Sequence, residues 1–351
     1  MPRLKKQPIL YQEKINLPEE KDYLRFATPK EVALYRAEKL SLGDKIILDI
    51  GAGIGGQTLA FSKKFKKVIS IEINKKAKKI LEETIKKLNI KNIQLIEGDA
   101  LSKEIMQKIS KEKIDVVFWD TERAEQGKRS INDLKPDIKE LLKQYSKITD
   151  KIAIEIPPFT QDLEDLKKQG YIFEKEFISL KGQLNRLTLY FNSLKKSDIS
   201  VVSLPSKEKL ETTIEEITKL ERIKNTNGFS YLFSISPAVV LAQLEDNLAE
   251  KLQDKIINLS EKPYLLSNEI IKSDFLQAYK ILKKCKNEYK EILKNLKELK
   301  AEKVILKFKI SPEEYWKVRN SYEKNFSKDG KAVSLFVNEN SNEAILCEKM
   351  N

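Results

Sequence analysis

Five short apolar runs recur through the first half of the chain, with room for one helix between successive members: KIILDI (45–50), KVISIEI (67–73), NIQLIEG (92–98), IDVVFWD (114–120) and KIAIEI (151–156). Bounded by Gly, Asp, Asn or Pro, they read as buried strands. The intervening QTLAFSKKF, KKAKKILEETIKKLN and IKELLKQYS carry apolar residues at helical spacing. Strands alternating with helices imply a parallel, doubly wound sheet. YIFEKEFISL and LNRLTLYFNSL, close together around Gly182, predict a hairpin at one edge and bring the count to seven strands.

The remaining chain organises itself around this block. Ahead of it, Thr28-Pro29-Lys30-Glu31 predicts the start of the helix EVALYRAEKL, with Thr28 as cap, Pro29 at the first helical position and Glu31 completing a capping box. Its expected role is packing. Beyond about residue 195 the sequence turns helix-rich and rich in Lys and Glu, with EILKNLKELK, a strand in AEKVILKFKI, a helix from Ser311-Pro312-Glu313-Glu314 and a terminal hairpin in AVSLFVNENSNEAILCE. The expectation is a short helical N-terminal segment (1–40), a sheet domain (41–195) and an α+β domain (196–351) that binds substrate. A chain of 351 residues is long enough for two such cores.

Composition removes whole classes of chemistry. There is no histidine, which excludes Ser-His-Asp and Cys-His catalysis and HExxH metal sites. The two cysteines, Cys285 and Cys347, lie far apart without CxxC spacing, so no metal site and no disulfide framework is expected. No segment approaches a membrane span, and the start MPRLKKQPIL lacks the apolar core of a signal peptide, so a soluble cytoplasmic protein is expected. The net charge of +13 suits a polyanion such as RNA or an anionic membrane surface, and equally a solvated lysine-rich face.

The strongest chemical signal is Asp49-Ile50-Gly51-Ala52-Gly53-Ile54-Gly55-Gly56, between the first strand and the next helix. Gly51, Gly53 and Gly56 fit the dinucleotide pattern GxGxxG, while Asp49, Gly51, Gly53 and Gly55 fit the acidic GxGxG form used for S-adenosylmethionine. Two further acids favour the second cofactor. Glu72 ends the second strand, where an acid can accept both ribose hydroxyls, and Asp99 follows the third, where an acid can take the adenine amino group.

These motifs, in this order, resemble the class I S-adenosylmethionine-dependent methyltransferases. The resemblance implies a Rossmann-like seven-stranded sheet whose last strand is antiparallel. It places Gly51, Gly53 and Gly55 along the methionine part of the cofactor, Asp49 toward its amino group, Glu72 at the ribose and Asp99 at the adenine. A narrower similarity, carried by RFATPKEVALYRAEKL, DTER-x3-GKRS-x3-L-x-PDI, YLFSISPAVVLAQL and YLLSN, is to bacterial and archaeal methyltransferases with a C-terminal THUMP-like domain. By analogy with THUMP domains, that resemblance implies RNA binding.

In this architecture the end of the fourth strand lies beside the reactive methyl group. Asp120 is therefore the candidate to orient the acceptor, with Glu122 to assist as proton acceptor and Arg123, Lys128 and Arg129 to hold phosphate or a substrate carboxylate. Enzymes that methylate exocyclic amines commonly carry Asp or Asn, then Pro-Pro and an aromatic here. Asp120-Thr121-Glu122-Arg123 has neither the proline nor the aromatic. Trp119 alternates out of phase with Asp120 and is expected in the core. Phe159, after Pro157-Pro158, is a candidate to stack on a base, with packing an equally good reading. C5 methylation of pyrimidines, which needs a nearby cysteine nucleophile, is disfavoured because both cysteines lie in the second domain. Three readings stand: methylation of RNA (a tRNA or rRNA base), methylation of a small molecule, and a non-catalytic RNA-binding protein that keeps the cofactor fold.

Overall fold

The computed structural model describes residues 27–41, 43, 45–121, 130–324, 326 and 330–350. The chain divides mainly at Thr213/Ile214 into two compact units.

The first unit is built on one sheet. Its parallel centre comprises β1 (Ile46–Ile50), β2 (Lys67–Glu72), β3 (Ile93–Glu97), β4 (Val116–Asp120) and β5 (Ile152–Ile156), which match the five apolar runs. Two strands flank Gly182 as expected: β6 (Phe173–Leu180) and β7 (Gln183–Phe191), the latter antiparallel to β5. The seven expected strands stand in the order β3-β2-β1-β4-β5-β7-β6, but the sheet continues past β6 through β8 (Ile199–Leu204) and β9 (Glu208–Thr212). The unit thus carries nine strands and runs on through Thr213 instead of ending near residue 195. The physical reason is a shared core: Val202 and Leu204 of β8 pack with Ile178 and Leu180 of β6 under Val32.

Val32 belongs to α1 (Lys30–Leu40), whose buried residues Val32, Ala33, Arg36, Ala37 and Leu40 form one helical stripe. Toward β1 the same helix meets Leu59, Phe61, Phe118 and Tyr190. Its start differs from expectation. The cap position is Pro29, without a side-chain cap, so Thr28 does not cap and no capping box forms. Thr28 is instead buried, and its backbone nitrogen lies 3.1 Å from where a Cβ on Gly56 would stand. The helix expected over QTLAFSKKF is confined to α2 (Thr58–Phe61). Then come α3 (Lys75–Lys87), capped by Asn74, α4 (Lys103–Ile109), capped by Ser102, α5 (Ile138–Tyr145), capped by Asp137, and α6 (Glu164–Lys168).

The second unit is also a sheet with helices. Its strands are β10 (Tyr231–Ile235), β11 (Lys255–Leu259), β12 (Lys262–Ser267), β13 (Leu276–Lys286), β14 (Ala301–Leu306), β15 (Lys331–Asn338) and β16 (Glu343–Lys349). They stand in the order β11-β12-β10-β13-β16-β15-β14, and only β14 and β15 pair in parallel. The helices are α7 (Pro237–Ala242), α8 (Glu245–Leu252), α9 (Tyr289–Glu298) and α10 (Pro312–Glu323). The expected strand, Ser311-started helix and terminal hairpin are all present, but the unit has more sheet than its Lys/Glu-rich sequence suggests. In β13, LQAYKILKKCK, lysines occupy strand positions and mask the pattern.

Candidate cofactor and acceptor site

A cavity of about 680 Å³ opens in the first unit at the carboxyl ends of β1, β2 and β4, where parallel sheets bind ligands. Its wall includes Gly51, Gly53, Glu72, Asp99 and Asp120, so residues picked from four separate strand ends meet in one place.

The glycine loop has the shape its motif requires. Gly51 has φ +76°, and a Cβ there would stand 2.6 Å from the carbonyl oxygen of Asp120; only glycine lets β1 turn this close to the end of β4. Gly55 answers a different need. It is not part of the cavity wall; its φ is +93°, and a Cβ on it would stand 2.3 Å from Leu81 Cδ1 of α3.

The acids divide their duties. Glu72 is buried, and its two oxygens accept the backbone N–H groups of Gly53 at 2.6 Å and Asn74 at 2.7 Å. The carboxylate thus ties the glycine loop to the start of α3 while bordering the cavity. Asp99 also borders it, and its Oδ1 accepts the N–H of Leu101 at 2.9 Å, the turn role an Asp commonly takes. Asp49 lies just behind the wall. Its Oδ2 accepts the Thr58 hydroxyl at 2.5 Å, while its buried Oδ1 has no hydrogen-bond partner among the described residues. Burial, reinforced by Glu72 and opposed by the Thr58 hydroxyl and Arg36, pushes its carboxyl up to about 7.

Asp120 sits in a charge cluster that crosses three strands. Strand register places Asp120 beside Glu155 and Glu155 beside Thr188, so the three side chains share one face of the sheet. Onto that face α1 lowers Arg36, fully buried, which pairs with Glu155 and donates to Gln57 Oε1 at 2.8 Å and Thr188 Oγ1 at 3.2 Å. Its guanidinium also stacks 4.7 Å from the centre of the Phe118 ring. The other Glu155 oxygen pairs with Arg186, a cavity-wall residue only 5% exposed. Burial and the Glu155 charge push the Asp120 carboxyl up to about 7, against the pull of Arg186 and Arg36. Trp119 is buried, as its strand phase predicts.

Not every candidate converges here. Phe159 is 52% exposed and does not line the cavity. Glu122, Arg123, Lys128 and Arg129 lie outside the described residues. Conversely, Arg36, Gln57, Glu155 and Arg186 escaped the sequence reading. The available signal was Arg36, one charged residue on the apolar stripe of α1. Among the described residues no cluster of His, Cys, Asp and Glu could hold a metal ion, and no helix is long and apolar enough to cross a membrane.

Residues 44–194 match the family model described as RNA cap guanine-N2 methyltransferase. The chain is 33% identical over 91 residues, 25% of its length and 50% of the relative's, to a probable cobalt-precorrin-6B C(15)-methyltransferase (decarboxylating) of Methanocaldococcus jannaschii. It is 44% identical over 64 residues, 18% of its length and 22% of the relative's, to a probable ribosomal RNA small subunit methyltransferase A of Methanosarcina barkeri. It therefore spans half the length of the first curated relative and less of the second. A solved structure of a putative methyltransferase from Porphyromonas gingivalis W83 superposes with a TM-score of 0.78 over 98% of this chain and 87% of that one, at 17% identity.

Proposed function

We propose, from the premise that residues 44–194 form a class I S-adenosylmethionine-dependent methyltransferase domain, that this chain transfers a methyl group to a base in RNA. The observation that carries the reading is the single cavity in which the glycine loop, Glu72 and Asp99 stand beside Asp120. The residues present fit the cofactor. The partnerless Asp49 Oδ1 is an acceptor suited to an ammonium group, Gly51 and Gly53 leave backbone exposed to the methionine part, and Glu72 and Asp99 are assigned to ribose and adenine. Gly55 serves the site indirectly, through α3.

When bound, S-adenosylmethionine supplies a methyl group on a sulfonium that needs no further activation. The chain's own work is to place the acceptor in line and to receive the proton it loses. Asp120 is assigned both duties, since its carboxylate accepts the acceptor's N–H or O–H at the cavity wall. Glu122 is assigned to assist the proton's departure, and Arg123, Lys128, Arg129 and Phe159 to hold the RNA around the target.

RNA as substrate is supported by the description of the matching family, by the name of the Methanosarcina relative and by the net charge of +13. On this reading residues 214–351 are the RNA-capturing module, THUMP-like in role. The Methanocaldococcus relative, named for a cobalt-precorrin, favours a small-molecule acceptor as the second reading. Incubation with labelled S-adenosylmethionine and unmodified RNA, followed by mass spectrometry of the nucleosides, separates them. A methylated nucleoside is expected; label in a metabolite extract but not in RNA would sink the RNA reading.

A further inference from the structure

The cavity wall beside Asp120 contains a cation, Arg186, outside the set of residues assigned to the cofactor. Arg186 stands two residues before Thr188 on β7, on the face that carries Glu155 and Asp120. It is 5% exposed, lines the cavity, and has Glu155 as its ionic partner among the described residues. Its Nε faces Glu155 Oε1, and among the described residues its two terminal nitrogens make no hydrogen bond. A guanidinium has five N–H donors in a fixed fork, so one carboxylate oxygen cannot satisfy it. Glu155 is also shared, because its other oxygen is held by fully buried Arg36. Of the two arginines that share Glu155, the one that meets the cavity is Arg186. Terminal N–H donors at the cavity wall without a protein partner are free to donate to a ligand atom in the cavity.

We infer that Arg186 and Asp120 read the acceptor as a pair. Arg186 donates to a carbonyl oxygen or ring nitrogen, while Asp120 accepts the neighbouring N–H to be methylated. The cavity thereby selects a planar group presenting an N–H and a hydrogen-bond acceptor along one edge, as the amide or amidine edge of a nucleobase does. Glu155, pinned by Arg36, is the positioning residue that holds the fork in place. The inference rests on the RNA-methylation reading and adds the pattern by which the base is chosen.

The test uses the full-length protein and RNA whose modified base has been identified by nucleoside mass spectrometry. That base is then replaced by an analogue in which the neighbouring carbonyl oxygen or ring nitrogen is removed. For the wild type, kcat/KM should fall about 10-fold to 100-fold on the analogue, the range for losing a hydrogen bond to a charged group. Arg186→Gln should lose a similar factor on natural RNA and show little further loss on the analogue. Arg186→Lys should recover part of the loss, and all three proteins should bind S-adenosylmethionine with similar affinity. Glu155→Gln should raise KM for RNA with little change for the cofactor. Wild-type indifference to the analogue would overturn the inference alone. So would Arg186 variants that unfold or lose the cofactor, since Arg186 would then be structural. Wild-type protein that labels no RNA would instead overturn the RNA reading, and this inference with it.

Discussion

Two acids near the cavity share a raised pKa and answer to different measurements. On the proposed reading Asp120 must be ionised to accept the acceptor's proton, and its carboxyl is pushed up to about 7. The rate of methyl transfer should therefore rise as pH rises through about 7, and a profile already flat below that would remove Asp120 from the proton's path. Asp120→Ala should abolish transfer and leave S-adenosylmethionine binding nearly intact; collapse of cofactor affinity would assign Asp120 to the cofactor. Asp49 is read through stability. Its carboxyl rises from 3.8 to about 7 in the fold, so the folded chain favours the protonated form. That contribution is full below about pH 3.8 and is lost as pH rises through about 7. In cofactor-free protein, Asp49→Asn should therefore reduce the fall in Tm over this interval. Asp49, Glu72, Asp99 and Asp120 were legible because each ends or follows a strand beside glycine or a turn. Arg36, Glu155 and Arg186 were not, because their meaning lies in pairings between α1, β5 and β7 that no local pattern announces.

Among elements, β8 and β9 carry the clearest consequence. Without them β6 would become an exposed edge, and Ile178 and Leu180 would lose Val202 and Leu204. A chain ended after Thr213 should unfold cooperatively and bind S-adenosylmethionine, whereas one ended after Lys195 should aggregate or melt at markedly lower temperature. Thermal unfolding followed by circular dichroism checks both. The five central strands and the hairpin around Gly182 were readable because each carries an apolar run bounded by turn residues. The two added strands were less so, since DISVVSL and KEKLETT follow a lysine pair that reads as the start of another domain. The same masking hid much of the second sheet. Eleven lysines against four glutamates lie between residues 276 and 309, and a sequence that charged resembles solvated helix even where it forms β13 and β14.

For the whole molecule, the surplus of 66 basic over 53 acidic residues predicts how substrate affinity responds to salt. KM for RNA should rise steeply between about 50 mM and about 200 mM salt, as counterion release makes phosphate binding less favourable. KM for S-adenosylmethionine, set inside a cavity, should change little. An RNA KM indifferent to salt would show that the basic surplus is only a solvated surface. The Arg36–Glu155–Arg186 bridge has a further consequence for how such a chain can diverge. Loss of Glu155 alone removes the shared carboxylate of two buried arginines, a costly intermediate. Change at these positions should therefore be inherited jointly, so that a descendant acquiring a new acceptor would carry replacements in the first helix and the seventh strand together.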